Sequence, residues 1–158
     1  MPVRKRLVPE LNLIYYAGFS HCTGKELLTA EAAGAKDPRR VPDMQIIVDY
    51  SMVTELDVDQ QDIQTLIELN RKLLAQGRVL EMTALIVRNE FDFLLTDVLA
   101  LLAGDSIPLR LAAFHTLRQA LEWLGLADAE AEVRAVRRIL RDEAAAERAT
   151  GRQTGSDG

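Results

Sequence analysis

The stretch IIVDYSMVTELDVDQQDI, residues 46–63, decides how this chain is read. Its first half, extended upstream to MQIIVDY, is a continuous apolar run of strand length, the pattern of a strand buried on both faces. Its second half is an acidic turn that carries Glu55, Asp57, Asp59 and Asp62, with no lysine or arginine near them, and opens onto a helix. Three readings of the turn compete: a divalent-metal site, a phosphorylation switch that has lost its serine, and helix capping. Capping has a direct cause, because the first N–H groups of a helix are unpaired and its dipole is positive there. Asp59 as N-cap with Asp62 three residues on fits that pattern. Metal binding has the wrong spacing, since the run lacks the glycine and the terminal glutamate of a calcium loop.

Outward from this stretch, strand and helix signals alternate. Upstream, NLIYYAGF (residues 12–19) reads as a strand that pairs with a shorter one inside VRKRLV across the Pro9 turn. Thr23 followed by Glu26 is a capping-box signature for a helix that Gly34 ends. The proline-rich KDPRRVPD is a loop. Downstream, Ile63, Leu66, Ile67, Leu69, Leu73 and Leu74 form a helical stripe over Gln60–Ala75, which Gly77 terminates. MTALIVRN and LRLAAF read as strands, EFDFLLTDVLALLAG as an apolar helix, and TLRQALEWLGL as a short helix whose Leu117, Ala120, Leu121 and Leu124 share a face. Such alternation predicts an α/β fold of four to five mostly parallel strands, because parallel neighbours require crossover helices that cover the sheet. After Leu126 the chain turns to Ala, Glu and Arg, and only Val133, Val136, Ile139 and Leu140 offer a narrow apolar stripe. We expect one domain over residues 1–126, a charged C-terminal helix with a mostly solvated surface over 127–148, and a disordered tail over 149–158.

Composition removes several classes of function. A formal net charge of −5 argues against a nucleic-acid footprint, which relies on clustered Lys and Arg. Cys22 is the one cysteine, so neither an intrachain disulfide nor a zinc site of several cysteines can form, which suits a reducing cytosol. No stretch reaches the length of a membrane span, and Arg4, Lys5 and Arg6 lead into Pro9, Glu10 and Asn12 rather than an apolar signal core. The expected location is the cytoplasm.

The order of elements, Gly18 at the close of the aromatic strand, the strand-aspartate step IIVDYSMV and the closing FHTLRQALEWLGL together resemble the SpoIIAA-like proteins of the STAS superfamily. That superfamily includes anti-sigma factor antagonists and cytoplasmic domains of sulfate transporters. The likeness covers residues 3–126, and it implies that Ala120, Trp123 and Leu124 pack the closing helix onto the sheet. In anti-sigma factor antagonists an Asp-Ser-Ser-Gly-like step follows the strand aspartate, with a phosphate-accepting serine at a helix N-terminus. Here the spacing runs from Asp49 to Asp57, and Val58, Asp59 and Gln60 occupy the places of the two serines and the glycine. A serine kinase cannot act on a carboxylate, so the switch, if copied, is frozen with a fixed negative charge.

No catalytic constellation stands out. His21 and Cys22 are adjacent, whereas a nucleophile and its base need side chains within hydrogen-bond reach and a third group to orient the base. No phosphate-cradling loop is present, and no cofactor or metal is expected. If the strands are parallel, His21, Tyr50, Ser51, Arg88, Asn89 and His115 lie at strand carboxyl ends, where open α/β sheets bind ligands, although polar loop residues occur there in any case. Phe91 and Phe93 belong to a helix with more apolar surface than one sheet contact requires. The reading is therefore a non-enzymatic regulatory protein-interaction module of bacterial type. Asp57, Asp59, Asp62, Phe91 and Phe93 form its contact surface, with a protein partner or a second copy as a homodimer. The alternative is a carrier or sensor of a small apolar or amphipathic molecule held between the Phe91 helix and the sheet.

Overall fold

The computed structural model describes residues 3–41, 43–76, 82–88 and 111–155. Five strands form one sheet in the order β1-β2-β3-β4-β5: β1 (Val3–Val8), β2 (Leu13–Thr23), β3 (Gln45–Asp57), β4 (Thr83–Ile86) and β5 (Leu111–Phe114). β1 is antiparallel to β2, and every other neighbouring pair is parallel. The leading hairpin turns through a 3₁₀ turn, Pro9–Leu11, closed by Asn12 in the left-handed region. Among the described residues, two helices lie within the parallel part of the chain, α1 (Gly24–Ala35) and α2 (Gln60–Ala75), and two follow β5, α3 (Leu117–Leu124) and α4 (Glu130–Gly155). The expected helix over residues 90–104, with Phe91 and Phe93, and Asn89 lie outside the described residues.

The strand order explains the layers. Successive parallel strands are laid down in one direction across the sheet, and right-handed crossovers in one direction place their helices on one face. α1 and α2 pack against each other accordingly, with α1 over β1 and β2. Among the described residues no crossover helix lies on the opposite face, which α3 and α4 cover. α3 takes the β4–β5 side of that face, and α4 takes the β1–β2 side. Leu13, Tyr15, Ala17 and Phe19 of β2, with Ile47, Ala84 and Ile86, meet Leu117, Ala120, Leu121 and Leu124 of α3 and Val133, Leu140 and Ala144 of α4 in one cluster. Ile14, Tyr16 and Ile46, the alternate residues, pack with Met44 on the α1 side. α3 ends where Gly125 adopts φ +74° and the Leu126 N–H donates to the Leu121 carbonyl, a Schellman closure that only a residue at ease in the left-handed region makes cheaply.

Four details depart from the sequence reading. β2 and β3 run on to Thr23 and Asp57, so Glu55 and Asp57 stand in a strand rather than a turn, as do His21 and Cys22. The register shifts between Ala17 and Phe19 and again between Ser20 and His21, and such bulges break the strict alternation that marks a strand. Gly34 lies inside α1, which closes one residue later. On α4, Ile139 is 40% exposed and the buried seam is Val133, Leu140 and Ala144, because a helical stripe of period 3.6 turns Ile139 away from the sheet. α4 is thus an integral cover of the core, and its helix continues past residue 148 to Gly155.

Candidate functional site

The acidic segment lies where two helices begin side by side. Thr23 and Asp57 are register partners at the ends of β2 and β3, and each strand runs almost directly into a helix. At α1, the Glu26 N–H donates to Thr23 Oγ1 at 3.3 Å and the Thr23 N–H donates to Glu26 Oε2 at 3.0 Å. At α2, the Asp62 N–H donates to Asp59 Oδ1 at 2.8 Å and the Asp59 N–H donates to Asp62 Oδ2 at 3.0 Å. Both are reciprocal capping boxes, the second built from aspartates. The Asp62 carboxyl also lies against Gly24, the first residue of α1: a Cβ placed there would come within 2.2 Å of it. Two positive helix ends therefore converge on this carboxylate, which accounts for an acidic cluster without basic neighbours. Asp57 and Asp59 remain exposed, and His21 Nε2 stands 3.9 Å from Asp57 Oδ2. Asp59 and Asp62 each give an oxygen to a backbone amide, and among the described residues no three His, Cys, Asp or Glu side chains are disposed to hold a metal ion.

The rim residues are not gathered into one site. Ala17, Asp49, Ile86 and Phe114 form one row across the sheet. His21 lies four residues beyond that row on β2, while His115 lies one beyond it after β5. Three strand spacings separate them laterally, about 14 Å, and three residues along the strand direction add about 10 Å. Tyr50 packs with Val3, Cys22 and Val53 on the α1 side. Arg88 donates from Nη1 to the Val53 carbonyl at 3.2 Å. The His115 N–H donates to Gln119 Oε1 at 3.3 Å. His115 also edges a shallow depression of about 420 Å³ with Phe114, Gln119, Glu122 and Trp123. The Trp123 ring lies 5.6 Å from that of Phe114, centroid to centroid, and Trp123 packs against the core.

Ser51 leads to a cluster that the sequence reading did not assemble. Its N–H and its hydroxyl donate to Asp49 Oδ1, at 2.9 Å and 2.6 Å. Asp49 has no exposed surface, and its other oxygen accepts from the Tyr15 hydroxyl and, at 2.7 Å, from Arg137 Nε of α4. Arg137 Nε is also 3.2 Å from the Tyr15 oxygen. Tyr15 and Asp49 lie on the face that α4 covers, Tyr15 beside Ile47, two positions from Asp49. Burial, and then the neighbouring Asp49 charge, push the Tyr15 hydroxyl well above its ordinary pKa, so it remains a donor. Burial works against the Arg137 charge, but Asp49 and Tyr15 outweigh it and hold its pKa above the usual value. Burial also pushes the Cys22 thiol up. The signal for the cluster was present in the sequence: an aspartate inside a strand buried on both faces requires a cation or several donors. Arg137 stands four residues after Val133 and three before Leu140, on the apolar seam.

The fold is similar to that of a solved structure. It is described as an uncharacterized protein from the DUF3478 family with a SpoIIAA-like fold, from Shewanella loihica PV-4. The TM-score is 0.49 at 18% sequence identity, over 77% of this chain and 91% of that chain. No family model matches the chain, and no curated protein matches it. Among the described residues no helix is long and apolar enough to cross a membrane.

Proposed function

We propose that the protein is a non-enzymatic regulatory module of the cytoplasm. It binds a protein partner, or a second copy of itself, through the acidic surface at the start of α2. The observation that supports this reading is Asp59, an exposed carboxylate at the N-cap of a helix. The resemblance to anti-sigma factor antagonists implies that it stands in for a phosphate-accepting serine. Charge at this place is constant, so recognition there does not wait on a kinase. Ser51 does not take over the serine's role, because its hydroxyl is turned inward onto Asp49. His21 is exposed and Cys22 is fully buried, adjacent strand residues on opposite faces, which supports a reading without nucleophilic catalysis. The test is a paired Asp57→Asn and Asp59→Asn variant, since Asn keeps the cap while removing both charges. Affinity for the partner, or for the second copy by sedimentation equilibrium, is expected to fall at least about tenfold at low salt. Unchanged affinity removes the acidic surface from the interface.

A second reading, a carrier or sensor of a small amphipathic molecule, is favoured by the depression beside Phe114, His115 and Trp123. Native mass spectrometry of the purified protein decides it. A co-purified mass that Trp123→Ala abolishes supports the carrier, and monomer or dimer masses alone reject it.

A further inference from the structure

β3 pairs with β4 only as far as Asp49, opposite Ile86, while β2 and β3 stay paired through Thr23 and Asp57. β1 follows β2 one residue further, Val3 opposite Gly18, so beyond Gly18 β2 and β3 pair only with each other among the described residues, and this ribbon ends at the acidic segment. Two-stranded ribbons depend on supporting layers. α1 supplies one, with Leu27 and Ala30 against Cys22 and Val53, and on the other face Phe19 and Met52 belong to the cluster that α4 joins. The ribbon also carries two register shifts, with Ser20 at φ +59° beside the second. A non-glycine residue in that region persists only where its surroundings hold it.

α4 touches the ribbon at its base and again at Ser20. At the base, Arg137 reaches Asp49 and Tyr15. Towards the tip, Arg148 Nη1 donates to the hydroxyl of Ser20 at 2.9 Å, on the residue in the left-handed conformation. The two contacts differ in strength. The base is buried and flanked by Val133 and Leu140. Past Leu140, the one buried apolar residue of α4 among the described side chains is Ala144, and polar, partly exposed contacts join its far half to β1 and β2. They include Arg4 with Glu143 at 3.6 Å and with Glu147, Arg6 with Glu143 at 4.0 Å, and Arg148 with Ser20. Exposed ion pairs are weak and screened by salt, so the far half lifts off more readily than the base.

We infer that the far half of α4 is a releasable splint. Docked, it holds Ser20 and the β2–β3 ribbon in the bulged conformation that presents Asp57 and Asp59; released, it lets the ribbon relax and the acidic surface lose its shape. The consequence for a partner rests on the function proposed above, whereas the coupling between helix and ribbon does not.

Amide hydrogen exchange on the full chain, read by mass spectrometry, tests the coupling without a partner. Two variants are used: Ala144→Glu, which forces a charge into the seat of the far half, and the milder Arg148→Ala, which removes the grip on Ser20 alone. Peptides covering 19–23 and 50–57 are expected to exchange at least about tenfold faster in Ala144→Glu and about threefold faster in Arg148→Ala, with peptides from 111–124 unchanged. Faster exchange in 141–150 with no change in 50–57 overturns the splint. Should Ala144→Glu unfold throughout, Arg148→Ala decides alone, and unchanged ribbon exchange in it refutes the inference. Retained coupling with no effect on partner affinity would leave the splint standing and overturn its consequence for the partner, while the paired Asp57→Asn and Asp59→Asn variant tests the proposed function itself.

Discussion

Replacing Arg137 by leucine strips Asp49 of its cation while leaving the carboxylate fully buried. Three donors stay in place, the Tyr15 hydroxyl and the N–H and hydroxyl of Ser51, so the charge is partly compensated. Removing one member of a buried pair costs about 3–5 kcal/mol, and the surviving donors place this case near the lower end, about 3 kcal/mol. Asp49→Asn is cheaper, about 1.5 kcal/mol. Its one amide oxygen keeps one set of acceptor contacts, and the Arg137 side chain, already 21% exposed, can turn its head into water away from the amide nitrogen. Urea denaturation at 25 °C measures both. With a slope of about 2 kcal/mol/M, Arg137→Leu is expected to lower the midpoint by about 1.5 M. In the double variant the cost should fall short of the sum of the singles by about 1.5 kcal/mol, because the second substitution no longer strands a charge. A midpoint shift below about 0.5 M for Arg137→Leu, or single costs that add within about 0.5 kcal/mol, would refute the claim that this pair fastens α4 to the sheet.

Three further outcomes are expected. The Tyr15 hydroxyl has its pKa raised in the folded state, so the folded chain holds a proton that the unfolded chain loses above about pH 10; stability is intact below that pH and falls as pH rises beyond it. Tyr15→Phe should flatten this alkaline decline, read from unfolding midpoints between pH 8 and 11, and an equally steep decline would assign it to other groups. Asp59→Ala removes the N-cap of α2 and should cost about 1 kcal/mol in urea unfolding, while Asp59→Asn stays within about 0.5 kcal/mol; equal losses would mean that charge rather than the hydrogen bond matters. Gly125→Ala forces a Cβ into φ +74° at the end of α3 and should cost about 1 kcal/mol, with an unchanged melting temperature as the contrary result.

What the sequence determined by itself is local. The capping pairs Thr23–Glu26 and Asp59–Asp62, the stripe Leu117, Ala120, Leu121 and Leu124, and the alternation that requires a mostly parallel sheet are all short-range patterns, and the structure contains them. Capping and periodicity are set within a few residues, so they can be read without knowing what lies across the molecule. The tertiary structure decided the rest. The bulges that carry β2 and β3 past their apparent ends depend on each strand having the other as neighbour. Gly24 is needed because a carboxylate from 38 positions away in the chain lies against it. Docking on the face opposite α1 and α2 made a cover of a helix that reads as charged and solvated, and the same docking joined Tyr15, Asp49 and Arg137. Their attraction across 122 positions of chain exists only once burial has excluded the water that would otherwise solvate each of them separately.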